Sequence, residues 1–128
     1  MAKRILQIVE VAYRATLEEQ DDTVIWLTHM MRANGGDADV LLQGHSVNYA
    51  IGGQDASGLQ IGAWRQKCPP QLAEDIASLV TKGAAVHLLS QDLKARGLQE
   101  RDLIPGLKLV SRADLPRLFE RYDQVWHW

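Results

Sequence analysis

The chain has 128 residues, 46% of them hydrophobic and 23% charged, an ordinary globular composition with enough apolar surface for a core without disulfide or metal staples. Its 14 Lys and Arg against 16 Asp and Glu give a formal charge of −2, which argues against a dedicated nucleic-acid binder, because such domains are basic as a rule. A single cysteine, Cys68, excludes an intramolecular disulfide and a multi-thiolate zinc site within one chain, though not between chains.

The apolar run behind Met1-Ala2-Lys3-Arg4 is broken by Gln7 and Glu10, so no export signal is expected. No stretch approaches the ~20 apolar residues that cross a bilayer. One domain over residues 1–128 in a reducing cytoplasm is the expectation.

In chain order, Ile5 to Ala12 is a short Ile/Val-rich run suited to a strand. Thr16 to Asn34 fits a helix, with Leu17, Val24, Leu27 and Met31 on one stripe, Thr16 as its cap and Gly35-Gly36 as its stop. The run Glu18-Glu19 and Asp21-Asp22 then forms a solvated helix start near the positive end of the dipole. A rival reading makes Thr23 to Thr28 a strand. Ala38 to Leu42 is a second buried strand, Gln43-Gly44-His45 a turn, and Ser46 to Ile51 a short helix. Leu59 to Trp64 is a candidate edge strand. Pro69-Pro70 opens a helix carrying Leu72, Ile76, Leu79 and Val80 on one face, closed by Lys82-Gly83. Ala84 to Leu89 is a third strand; Ser90 caps a short helix from Gln91 to Arg96, stopped by Gly97. Gly106 to Val110 is a fourth strand. Asp114 caps a helix with Leu115, Leu118, Phe119 and Tyr122 on one stripe, and Gln124 to Trp128 ends as a strand. Strands alternating with helices predict an α/β fold: a single three-layer α/β/α sandwich on a mostly parallel sheet of about five strands.

Ligands in such folds bind beyond the carboxyl ends of the strands. That rule selects Val11 to Arg14, Gln43 to Asn48 and Leu89 to Asp92. Gly44 permits a tight turn, and His45, Ser46 and Asn48 bring polar groups to the sheet edge, either as part of an anion site or as a plain strand-to-helix turn. Cys68 lies just before Pro69-Pro70 with Arg65 and Lys67 nearby, a setting that favours the thiolate. It is either a reactive thiol or an incidental loop cysteine. His29, His45, His87 and His127 lack metal-ligand spacing, and a triad of Ser90, His45 and Asp92 has no nucleophile-elbow motif behind it. Trp126 and Trp128 fall on one face of the final strand, as core cover or as part of a subunit interface.

The stretch Val86-His87-Leu88-Leu89-Ser90-Gln91-Asp92-Leu93-Lys94-Ala95-Arg96-Gly97-Leu98 resembles the strand, short helix and Arg-Gly turn of the DsrE/DsrF/DsrH-like (TusBCD-like) proteins. Leu109 to Leu115 and the ending Trp126-His127-Trp128 are similar to the DsrH/TusB branch, and Val40-Leu41-Leu42-Gln43-Gly44-His45-Ser46-Val47 to the DsrE layout. The resemblance implies a three-layer sandwich, homo-oligomers or hetero-oligomers of related subunits, and relay of persulfide sulfur between donor and acceptor proteins. In DsrE/TusD-type members the sulfur-bearing cysteine follows the strand that matches Val86 to Leu89; here Ser90 and Gln91 stand there. If the chain carries sulfur, Cys68 is the only carrier and His45, Ser90, Gln91, Gly44 and Asn48 form the pocket at the strand ends. The alternative is a non-catalytic subunit or small-ligand module of the same fold. No metal, cofactor, direct nucleic-acid contact or membrane contact is expected.

Overall fold

The computed structural model describes residues 3–14, 16–17 and 20–128. The strands are β1 (Arg4–Val9), β2 (Asp37–Leu42), β5 (Val86–Leu89), β6 (Lys108–Val110) and β7 (Gln124–His127), with a small hairpin of β3 (Gln60–Ile61) and β4 (Trp64–Arg65). The helices are α1 (Thr23–Ala33), α2 (Leu72–Thr81), α3 (Ser90–Ala95) and α4 (Leu115–Glu120). The main sheet is parallel throughout, in the order β6-β5-β2-β1-β7. This is the expected α/β sandwich.

The layers follow from handedness. From β1 through β2 and β5 to β6 the chain steps in one direction, so right-handed crossovers put α1, α2 and α3 on one face. The step from β6 back to β7 runs the other way and puts α4 on the opposite face. Strand parity sorts the core accordingly. Val9, Val40, Leu42, Val86 and Leu88 pack with Ile25, Ile76, Leu79 and Leu93 of the first three helices. Leu6, Ile8 and Leu41 pack with Leu118 and Tyr122 of the α4 side.

Several boundaries differ from the sequence reading. The helix expected from Thr16 begins at Thr23, and the run Thr23 to Thr28 is helical rather than a strand. Its cap is Asp22, whose Oδ1 accepts from the amides of Val24 (2.9 Å) and Ile25 (3.3 Å), as a short acidic side chain in the extended cap position does. The Thr16 hydroxyl instead donates to the Tyr13 carbonyl, and Leu17 is exposed rather than on the buried stripe. Asp22 is fully buried, not solvated; Glu18 and Glu19 lie outside the described residues. Glycine stops α1 as expected: Gly36 donates to the Met31 carbonyl at 2.8 Å, and a Cβ there would stand 2.8 Å from that same oxygen.

Gly44 to Ala50 is a 3-10 helix, and Leu59 to Trp64 belongs to the separate hairpin instead of the main sheet edge. Two predicted caps do not cap. Ser90 is the first residue of α3, with Leu89 before it. Asp114 has helical dihedrals inside a 3-10 turn (Arg112–Asp114), and its carboxylate accepts from the Ser111 hydroxyl.

The thin α4 layer covers a polar network. Tyr122 donates its hydroxyl hydrogen to Asp39 Oδ2 at 2.7 Å. That hydrogen is then committed, so the 3.3 Å contact with His87 Nε2 is donated by a neutral imidazole. Arg4 lies over the Tyr122 ring at 4.8 Å, and Arg32 reaches Asp39 at 3.4 Å. On the other face, buried Gln7 receives the Trp128 indole N–H at 2.8 Å and donates to Thr28. Trp128 is therefore tied to the core edge while remaining partly exposed.

Replacing Asp22 by Ala removes a helix cap, worth about 1 kcal/mol, and strands the buried Tyr49 hydroxyl, worth roughly 1–3 kcal/mol. Urea unfolding is expected to show a loss of about 2–4 kcal/mol for Asp22→Ala. Asp22→Asn, which keeps a capping oxygen, is expected to lose less. Burial lowers His87 to about 4 from its ordinary 6.5. Below pH 6.5 the unfolded chain takes up a proton that the folded chain refuses, so this group withdraws stability as pH falls from about 6.5 to 4. Urea midpoints across that range should fall more steeply for the wild type than for His87→Gln.

Candidate functional site

The carboxyl ends of the strands and the N-termini of α1 and α2 lie at one end of the sandwich. Here the structure joins some predicted site residues into a closed network. The Gly44 amide donates to Asp92 Oδ2 at 2.6 Å, and Arg96 Nε donates to the Gly44 carbonyl at 2.7 Å. Gly44 has a positive φ of 59°, and a Cβ would meet Glu10 Cγ at 3.0 Å, so this crossing of β1 and β2 exits requires glycine. Gln91 Oε1 accepts from the Arg112 amide at 3.0 Å and from the Ser90 hydroxyl at 3.2 Å. Arg112 also reaches Asp92 Oδ1 at 3.4 Å. The Ser90 hydroxyl donates to Gln91, and the Asp92 carboxylate serves the Gly44 amide and Arg112, so the paper triad of Ser90, His45 and Asp92 is not assembled. His45 is exposed beside this network, and Asn48 gives its carbonyl to Gln54 Nε2 at 2.7 Å. Across the top, Glu10 and His127 pair at 2.7 Å.

Cys68 is not part of that network. It is exposed, on the segment between the hairpin and α2, and lines a groove of about 630 Å3 with Leu17, Gln20, Trp64, Arg65 and Lys67. The basic pair expected near the thiol in sequence shares this groove with it. Trp64 is half exposed beside it. Gln66 forms the wall between this groove and a second cavity of about 410 Å3 over the first turn of α2. Its Nε2 donates to the Thr16 carbonyl (2.9 Å) and its Oε1 accepts from the Leu59 amide (3.2 Å).

Asp22 and Tyr49, which shape this end, were not singled out as site residues by their sequence, while Tyr13 falls in the Val11 to Arg14 loop that the strand-end rule selected. Tyr13 is the one non-glycine residue with positive φ (62°) among the described residues, a strained conformation that its surroundings must hold. Its amide donates to the Tyr49 hydroxyl, and its ring stands edge-on to Tyr49 at 5.4 Å and 73°. Tyr49 in turn donates to Asp22 Oδ2. Burial and the Asp22 carboxylate push the Tyr49 hydroxyl above its ordinary value, so it stays a donor. The available signal was Asp22 directly before a β-branched helix start, the pattern of an acidic cap.

Burial and the neighbouring Asp21 carboxyl raise Asp75 to about 7, and its Oδ2 is buried with no hydrogen-bond partner among the described residues. A carboxyl placed beside another and partly removed from water resists ionisation. No group of three side chains able to hold a metal ion occurs among the described residues, and no helix among them is long and apolar enough to cross a membrane. Because Asp75 is protonated more readily folded than unfolded, its contribution is present at acid pH and lost as pH rises through about 7. Raising pH from 6 to 8 is expected to lower the urea midpoint of the wild type, with a smaller fall in Asp75→Asn.

No family model matches the chain, and no curated protein matches it in sequence. In three dimensions it is similar to the ychN protein from E. coli, with a TM-score of 0.72 and 17% identity over 100% of both chains. It is also similar to MTH1491 from Methanobacterium thermoautotrophicum, a protein of unknown function, with a TM-score of 0.65 and 16% identity over 97% of this chain and 98% of that one. At these identities the likeness is one of fold.

Proposed function

We propose that this chain is a DsrE-like carrier of persulfide sulfur that acts through Cys68 in the cytoplasm. The observation that supports the reading is the exposed thiol in an open groove with Arg65 and Lys67. Exposure admits a protein-bound sulfur donor to the thiol, with the Arg65 and Lys67 side chains in the same groove. In the loading step the Cys68 thiolate attacks the terminal sulfur of a donor persulfide. The donor S–S bond breaks, the donor thiolate leaves, and Cys68 holds the new S–S bond. Delivery repeats the exchange, with an acceptor cysteine attacking the same terminal sulfur and Cys68 leaving as thiolate. No external oxidant is consumed in either step.

The partners are a donor or acceptor protein and related subunits in a homo- or hetero-oligomer. Gly44, His45, Asn48, Ser90 and Gln91 would serve such a complex as a surface at the strand ends. A second reading, a non-catalytic subunit of the same fold, draws support from the placement of Ser90. It stands after β5, where the resemblance puts a cysteine, and its hydroxyl is engaged with Gln91.

Intact mass after incubation with a cysteine desulfurase and cysteine separates the two. The carrier reading expects added sulfur on the wild type, removed by reductant and absent in Cys68→Ser. Absence of added sulfur on the wild type, with the same desulfurase loading a known acceptor, would overturn carriage from that donor and leave the subunit reading.

A further inference from the structure

The cavity of about 410 Å3 over α2 lies outside the thiol chemistry and has its own composition. Leu59 and Pro69 supply apolar wall, and the half-exposed Tyr13 ring supplies an aromatic one. That ring is positioned in advance, because the Tyr13 backbone is pinned by Tyr49 and the ring packs against it. Among the described residues that line it, the charged side chains are Asp55 and Glu74, with no Lys, Arg or His. The hydroxyl and amide of Ser57 hold Asp55 below the usual carboxylate range, so it is ionised at neutral pH. Gln71 spends its amide nitrogen on the carbonyls of Ala56 (3.0 Å) and Pro69 (3.3 Å), which leaves its acceptor oxygen for a ligand. A concave, largely apolar pocket with a few acceptors and a fixed aromatic face is the form small-molecule sites take.

We propose that this cavity binds a small organic cation with an apolar body, an amine held by Asp55 and Glu74 with its body against the Tyr13 ring. The two carboxylates favour a positive charge, and the Tyr13 ring offers the ligand's body an aromatic surface. The positive end of α2 opposes it, and Glu74 in that first turn offsets it. Such contacts at an open site each change affinity by only about threefold to fivefold, so binding is weak and fast. The site is independent of Cys68.

The test is an NMR titration of the full chain with tyramine, set against p-cresol and 4-hydroxyphenylacetate as its neutral and anionic counterparts. Saturable tyramine shifts at the lining residues are expected, with p-cresol weaker by about threefold or more and the anion weaker still. Tyr13→Ala and the pair Asp55→Asn with Glu74→Gln should each weaken tyramine by a similar factor, and Cys68→Ser should not. The carboxamide pair carries the test if Tyr13→Ala fails to fold. Binding of p-cresol or the anion as tight as that of tyramine would overturn the proposal. So would no saturable tyramine binding, or affinity unchanged in the carboxamide pair.

Discussion

One carboxylate without solvent contact holds the strand-exit end of the molecule in place. A buried charge is tolerated only when donors surround it, and Asp22 has the Val24 and Ile25 amides, the positive end of α1 and the Tyr49 hydroxyl. Because Tyr49 spends its hydrogen on Asp22, its oxygen is free to accept from the Tyr13 amide. A single chain of hydrogen bonds therefore fixes the start of α1, the 3-10 helix after β2 and the segment leaving β1. The position of the Tyr13 ring, and with it the shape of the cavity over α2, is a consequence of where that buried charge sits.

Around this anchor the top of the sandwich divides into three zones of different character. The Gly44, Asp92, Arg96 and Arg112 network closes on itself and clamps the exits of β1 and β2 to α3. The thiol groove carries basic side chains, and the neighbouring cavity carries carboxylates, with Gln66 shared between them.

Much of the architecture was legible because parallel strands covered on both faces leave continuous apolar runs, as at Val40-Leu41-Leu42 and Val86-His87-Leu88-Leu89. The α1 start was misplaced because Leu17 continues the apolar stripe by chance, whereas the boundary is set by the Asp22 cap. The cap pattern is local, but the burial of Asp22 depends on the hydroxyl donated by Tyr49, 27 positions away, which no local pattern reports. The polar residues of the sheet, Gln7, Asp39 and His87, were opaque for the same reason: each is satisfied by a partner distant in sequence. Gly44 was recognisable as a tight turn from its residue type. That Cys68 and the strand-end residues occupy separate surfaces was not, since the segment from Gly52 to Pro70 has little regular structure to constrain its path.

The placement of β7 beside β1 has a consequence for how the chain acquires its structure. Arg4 and Asp123, 119 positions apart, exchange hydrogen bonds at the edge of the sheet. The steps from β1 to β2 to β5 pair residues 33 and 46 positions apart, far fewer than the β1–β7 pairing, and can assemble as the chain lengthens. The β1 edge has to wait for a strand at the far end, and a long loop must close before that pairing yields any stabilisation. Until then Gln7 lacks the Trp128 indole, and the β1 edge presents unpaired backbone groups. The slow, aggregation-exposed stage of folding is thus expected at the β1–β7 seam, after the α1/α2 layer has formed.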